Sequence, residues 1–158
     1  MAEPAAHVRR VDLTDPAALH DYLAMLDAYA ADPMGAGRPL PRDVIERLAD
    51  DLPRHPTAVC LLADVGDTTV GFATCFLGYS TFRARPLLNV HDIAVASAWR
   101  GRGIGRQLLC AIEHSARLLG CCALTLEVRD DNPAAQSLYA DYGFAAATCG
   151  RFMEKTLS

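Results

Sequence analysis

The chain has 158 residues, a mass of 17.0 kDa and a formal charge of −4 at pH 7. Hydrophobic residues make up 51% and charged residues 22%, which excludes the disordered and fibrous classes. The balance of 15 Lys+Arg against 19 Asp+Glu argues against a general nucleic-acid binder.

The predicted elements follow in chain order. Val8–Val11 is a short strand. Thr14 or Asp15 caps a helix with Pro16 in its first turn, and Leu19, Tyr22, Leu23, Leu26 and Tyr29 follow at helical spacing. Asp32–Pro39 is a glycine- and proline-rich loop, and Pro41–Leu52 is a second helix stopped by Pro53. Ala58–Asp64 and Val70–Leu77 form a hairpin about Gly66-Asp67, and Leu87–Val95 is a third long strand. Gly103–Leu119 is an amphipathic helix ended by Gly120. Ala123–Val128 is a strand, Pro133–Tyr142 a helix stopped by Gly143, and Arg151–Lys155 a last edge strand. The strand–helix–strand run over Leu87–Val128 calls for one parallel crossover in a mostly antiparallel sheet, a mixed α/β (α+β) domain. The length suits a single domain over residues 1–158.

No apolar stretch reaches the ~18 residues that cross a bilayer. Met1-Ala2-Glu3-Pro4 lacks the charged start of a secretory signal. Of the six cysteines (Cys60, Cys75, Cys110, Cys121, Cys122, Cys149), Cys60, Cys75 and Cys121–Cys122 lie in or beside apolar runs, where a free cysteine acts as a small hydrophobe. A reduced, cytoplasmic protein is expected.

One segment carries chemistry. In Asp92-Ile93-Ala94-Val95-Ala96-Ser97-Ala98-Trp99-Arg100-Gly101-Arg102-Gly103-Ile104-Gly105-Arg106 a strand leads into a glycine-rich turn that opens a helix. Bare backbone N–H groups at a helix N-terminus, with Arg100, Arg102 and Arg106 beside them, suit a pyrophosphate. The Walker pattern fails for want of a lysine, and the dinucleotide fingerprint fails at Arg106 and Leu108. The spacing present is Arg-x-x-Gly-x-Gly at Arg100, Gly103 and Gly105.

Arg100-Gly101-Arg102-Gly103-Ile104-Gly105 resembles the acetyl-CoA pyrophosphate loop of the GCN5-related N-acetyltransferase (GNAT) superfamily. Asn132-Pro133-Ala134-Ala135-Gln136-Ser137-Leu138-Tyr139-Ala140-Asp141-Tyr142-Gly143-Phe144 resembles that superfamily's Asn-x-x-Ala-x-x-Leu-Tyr-x-x-x-Gly-Phe signature. The resemblance implies a twisted, mostly antiparallel sheet of six to seven strands flanked by about four helices. Tyr79-Ser80-Thr81-Phe82 and Val90-His91-Asp92 further resemble the diamine and thialysine acetyltransferase branch, with His91 where that branch carries a glutamate. Members of that branch are commonly homodimers.

The implied reaction moves an acetyl group from acetyl-CoA, as cosubstrate, to a primary amine of a small molecule such as a polyamine or amino acid. Such an amine, of pKa about 10, must lose a proton before attack. By the resemblance, the backbone of Ile93, Ala94 and Val95 holds the pantetheine arm and thioester. Gly101, Gly103, Ile104 and Gly105 hold the pyrophosphate with Arg100, Arg102 and Arg106. Asn132 adjoins the cofactor and also suits an N-cap. Tyr139 protonates the leaving thiolate, although its helix face also suits a core position. His91 and Asp92 are the titratable pair on the central strand. Strand alternation places them on opposite faces, so one is the base, with His91 favoured. A water relay or Glu127 is the other route. The acceptor pocket is expected from Ala30–Leu40 and Gly78–Arg85. Cys110 and His114 stand at metal-compatible i, i+4 spacing, but no second ligand pair matches, so no metal is expected. A non-catalytic acyl-CoA-binding module and a peptide or protein N-acetyltransferase are the other readings of the same fold.

Overall fold

Five strands and four α-helices make up the computed structural model, which describes residues 5–146 and 152–157. In chain order they are β1 (His7–Arg10), α1 (Pro16–Ala31), α2 (Arg42–Asp51), β2 (Ala58–Val65), β3 (Thr68–Ser80), β4 (Arg85–Val95), α3 (Ile104–Leu118), β5 (Leu124–Leu126) and α4 (Pro133–Tyr142). The sheet runs β1-β2-β3-β4-β5, antiparallel except for the parallel pair β4–β5. Among the described residues no helix is long and apolar enough to cross a membrane.

Both faces of the sheet are covered, which is why β2 and β3 read as nearly continuous apolar runs. Val59, Leu61, Ala63, Ala73, Cys75, Leu88 and Val90 pack against Ile104, Leu108, Leu109 and Ile112 of α3. On the other face Cys60, Leu62 and Phe72 pack against Ala18 and Tyr22 of α1. Phe72 is fully buried there between the rings of Tyr22 and Tyr29, at 5.8 and 5.9 Å.

Local chemistry sets the helix ends. Asp15 accepts from the Ala17 amide, so it rather than Thr14 caps α1. Asn132 Oδ1 accepts from the Ala135 amide at 3.1 Å and caps α4, with Pro133 next. Gly143 ends α4 at φ +110°, a conformation that favours glycine. Pro53 does not stop the second helix outright, since a 3₁₀ turn over Leu52–Arg54 carries it on to His55.

The sheet departs from expectation at its far edge. Among the described residues five strands are formed, fewer than the six to seven expected. Phe152–Lys155 is not a strand, and Phe152 and Met153 are exposed; two adjacent apolar residues followed by Glu154-Lys155 offer no alternating face to bury. Arg151, where that strand was expected to start, and Cys149 lie outside the described residues. β5 is also shorter than Ala123–Val128, for a reason that lies in β4.

Candidate active site

Thr74 of β3 pairs with Asp92, and the next residue, Cys75, pairs with Val90. His91 is therefore an extra residue in β4, a β-bulge. The bulge resets the alternation of side chains. Val90 faces the α3 core, while Asp92 lies opposite Thr74 on the α1 face; Ile93 then returns to the α3 core and Ala94 to the α1 core. The His91 ring packs on Phe76 at 5.5 Å, and Phe76 on His55 at 5.1 Å, which also places His91 on the α1 side. The expectation that His91 and Asp92 occupy opposite faces is thus corrected. It assumed an unbroken pleat, and the bulge breaks it.

The bulge also opens the sheet. β4 and β5 pair over Leu88–Val90 and Leu124–Leu126, and the ladder stops where His91 begins. Beyond that point β4 continues to Val95 with β3 on one side and, among the described residues, no strand on the other. A cleft of ≈ 570 Å³ lies between the parted strands. Its walls are Ile93–Val95 on one side and Leu126–Arg129 on the other. The glycine turn, the first turn of α3 and the inner face of α4 complete them.

Most of the residues singled out from sequence converge here. His91, Ile93, Ala94, Val95, Arg100, Gly101, Gly103, Ile104, Gly105, Arg106, Asn132 and Tyr139 all line the cleft. Gly101 and Gly103 have φ of +71° and +76°, where a side chain is strained. Gly103 starts α3 without a side-chain cap, so the first amides of the helix face the cleft. Gly105 serves packing instead: a Cβ there would sit 3.0 Å from Leu138 Cδ2 of α4. This bare, amide-lined floor fits a pyrophosphate.

The arginines divide. Arg102 does not line the cleft; its guanidinium stacks on Trp99 at 4.9 Å. Arg106 lies 5.6 Å over the Tyr142 ring at the cleft margin. Arg100 donates to the Val95 carbonyl at 2.9 Å and to Asp32 at 2.6 Å, so its charge is already engaged.

Tyr139 is held from behind. The αL turn at Gly143 folds the chain back so that the Phe144 amide donates to the Tyr139 carbonyl at 2.9 Å and the two rings meet at 5.8 Å. Burial pushes the Tyr139 phenol up to about 12, so it is a proton donor at neutral pH. Among the described residues its hydroxyl makes no hydrogen bond, and the residue lines the cleft.

Asp92 does not line the cleft. Asp92 lies opposite Thr74 in the ladder, and Tyr22 Oη lies 2.6 Å from Thr74 Oγ1, a hydrogen bond in which either hydroxyl can donate. Burial pushes the Asp92 carboxyl above the usual carboxylate range, against the pull of Thr74 and His91. Burial also keeps the neighbouring thiols protonated, Cys60 at about 11 and Cys75 at about 12. The five described cysteines are all free.

Asp32 and Met34 line the cleft from the expected acceptor segment Ala30–Leu40, and Tyr29 at the end of α1, which the sequence reading placed only on a helix face, joins them; residues 78–85 do not line it. Glu127, on the wall opposite His91, is exposed and makes no ion pair among the described residues. Asp32 carried a signal, since a carboxylate closing an apolar helix ahead of a glycine loop is a natural C-terminal partner for an arginine. Its partner lies 68 positions away and is not legible locally.

Residues 22–144 match the model of the acetyltransferase (GNAT) family. A thialysine N-epsilon-acetyltransferase from Bos taurus is 32% identical over 103 residues, 60% of this chain and 60% of that protein. An N-alpha-acetyltransferase, RimI, from Mycobacterium tuberculosis is 43% identical over 81 residues, 50% of this chain and 47% of that protein. The match therefore spans about half to three-fifths of these relatives' lengths. An aminoglycoside acetyltransferase from an uncultured soil metagenomic sample, solved in complex with sisomicin, superposes with a TM-score of 0.80 at 18% identity, covering 97% of both chains. That likeness is one of fold.

Two outcomes test this geometry. The Asp92 carboxyl is raised above its unfolded value of 3.8, so its contribution to stability is fully present below pH 3.8 and is lost as pH rises through the folded value. Asp92→Asn removes the buried charge at nearly the same side-chain volume. Thermal melts should show a higher Tm than wild type at pH 7, with the gap closing toward pH 4; a lower Tm at pH 7 would mean that the ionised carboxylate is stabilising. Gly103→Asp places a negative side chain on the cleft floor. CoA affinity measured by calorimetry should fall at least tenfold, about 1.4 kcal/mol, with the circular dichroism spectrum retained. Unchanged affinity would remove the pyrophosphate from this turn.

Proposed function

The chain belongs to the acetyltransferase (GNAT) family, and from that premise we propose that residues 1–158 form one domain that transfers an acetyl group from acetyl-CoA to a primary amine of a small molecule. The observation that carries this reading is the joining, in one cleft, of an amide-lined glycine turn, an unpaired strand edge and a protonated tyrosine.

Acetyl-CoA supplies the activated thioester. The chain supplies the rest. The amides of Gly103, Ile104 and Gly105, with the positive end of α3, suit the pyrophosphate. The edge of β4 from Ile93 to Val95 offers N–H and C=O groups to an extended amide-bearing arm, as a further strand would take them. The same edge offers an N–H for the charge that develops on the thioester oxygen. Tyr139, protonated and lining the cleft, suits the role of proton donor to the leaving sulfur.

The base is His91 or Glu127. His91 stands on the cleft wall, with its ring held by Phe76. Asp92 acts at a distance, through the bulge that it anchors. Glu127 is a second reading, favoured by its unpaired carboxylate on the opposite wall. A second acceptor class, the N-terminal amine of a peptide, is favoured by the likeness to the N-alpha-acetyltransferase. The free thiols suit a reducing compartment such as the cytoplasm. A homodimer is supported by the exposed Tyr79 and Phe82 on the β3–β4 hairpin.

Free-thiol release from acetyl-CoA against a panel of amines tests the reading, with mass spectrometry of the products. Tyr139→Phe should lower kcat by about 10²–10⁴-fold while acetyl-CoA still binds; a silent change would make Tyr139 a packing residue. His91→Ala and Glu127→Gln separate the bases. Loss of the acidic limb of the pH–rate profile in one variant assigns the base to that residue. Retention of rate and limb in both assigns proton removal to water. A panel with no turnover despite tight CoA binding would favour the non-catalytic acyl-CoA-binding module.

A further inference from the structure

Two ends of the cleft meet in one ion pair. Asp32 closes α1 and Arg100 opens the glycine turn. Arg100 Nη2 donates to Asp32 Oδ2 at 2.6 Å, and Arg100 Nε donates to the Val95 carbonyl at 2.9 Å. The guanidinium therefore bridges the loop after α1 to the end of β4. The Asp32 side chain is 16% exposed and the Arg100 side chain 48%, so the carboxylate end of the pair is shielded while its guanidinium end is open to solvent.

Asp32 also gathers its own loop. Its Oδ1 accepts the Met34 amide at 2.9 Å, and its carbonyl accepts the amides of Gly35 and Gly37 at 2.9 and 3.2 Å. The Ala30 carbonyl accepts the amides of Ala36 and Arg38, and Asp27 accepts the amide of Leu40 at 2.7 Å. The Met34 amide and Arg100 together hold the Asp32 carboxyl below the usual range, so it remains an ion at neutral pH. Asp32 and Met34 line the cleft from the α1 side, and Arg100 and Gly101 line it from the glycine turn. A phosphate approaching Arg100 would have to take it from a carboxylate already 2.6 Å away.

We propose that Arg100 is a positioning residue: through Asp32 and the Val95 carbonyl it ties the loop over residues 32–40 to the glycine turn, so that the acceptor side and the cofactor side of the cleft are set together. This rests on the acetyl-CoA reading for its functional meaning, but the tie itself is a property of the free chain. It assigns Arg100 a different role from that of a phosphate ligand. The two roles predict opposite behaviour from Asp32. Removing the carboxylate damages a tie, whereas it frees a phosphate ligand.

The test uses CoA and four proteins: Asp32→Asn, Arg100→Gln, the two combined, and the exchange Asp32→Arg with Arg100→Asp. CoA Kd is measured by calorimetry, and hydrogen exchange is measured at the amides of residues 34–40 without ligand. The single variants should each weaken CoA by about fivefold, and the double variant should be no worse than either, since both remove one interaction. The 35–40 amides should exchange about tenfold faster in all three, and their protection should return in the charge-exchanged protein, whereas the Met34 amide, which an arginine cannot accept, should stay fast. Weaker CoA binding in Arg100→Gln with unchanged or tighter binding in Asp32→Asn, and with unchanged amides, would overturn the proposal and make Arg100 a phosphate ligand. Failure of wild type to bind CoA would refute the acetyl-CoA reading, and the exchange data would still decide the tie.

Discussion

One extra residue in the central strand organises this molecule. The bulge at His91 lets Val90 serve the core under α3 while Asp92, two residues on, faces α1. Without it, alternation would place both on one face. The same residue ends the β4–β5 ladder, because a bulge bends its strand and increases the local twist. A parallel pair of strands that parts in this way leaves backbone donors and acceptors facing a cavity. The cleft, the open strand edge and the turn toward the glycine loop all descend from that break.

The polar groups behind the bulge are arranged to hold it. Tyr22, fully buried, shares a hydrogen bond of 2.6 Å with Thr74, and Thr74 lies opposite Asp92 in the ladder. A buried chain of this kind is costly when incomplete, and here each member has a partner. On the far side of the cleft Phe144 backs Tyr139, and α3 and α4 are joined where Tyr142 donates to Glu113 at 2.7 Å. The close approach of Gly105 to Leu138 fixes the same pair of helices. The floor of the cleft is thus set by helix packing, and its wall by a hydrogen-bonded bulge. The loop over residues 32–40 is joined to both through Arg100.

Much of this was legible in the sequence, because it is written in local signals. Asn132-Pro133 and Gly143 mark both ends of α4, and the structure places that helix over Pro133–Tyr142 as expected. The glycine turn announced the start of α3, and the apolar runs about Gly66-Asp67 announced the β2–β3 hairpin. What escaped depends on pairing between distant residues. Neither Val90-His91-Asp92 nor Thr74-Cys75 carries a glycine or other mark of a bulge; the offset exists only in their register. The ion pair of Asp32 with Arg100 and the stacking of Arg102 on Trp99 are likewise tertiary, so three arginines that read alike in sequence take three different places. The last strand was over-read, since Phe152-Met153 is apolar without alternation.

The dependence of the site on the extra residue, rather than on the imidazole it carries, is open to one direct measurement: calorimetric titration of CoA into His91→Gly and into a variant from which His91 is deleted. His91→Gly keeps the bulge and loses the ring, and its CoA Kd should stay within about twofold of wild type. The deletion joins Val90 directly to Asp92, which keeps each on its own face but restores an unbroken pleat; the β4–β5 ladder can then run on past Val90 and close the cleft, and CoA binding should be lost. A folded deletion variant that binds CoA as tightly as wild type would contradict the claim that the bulge at His91 builds the cleft.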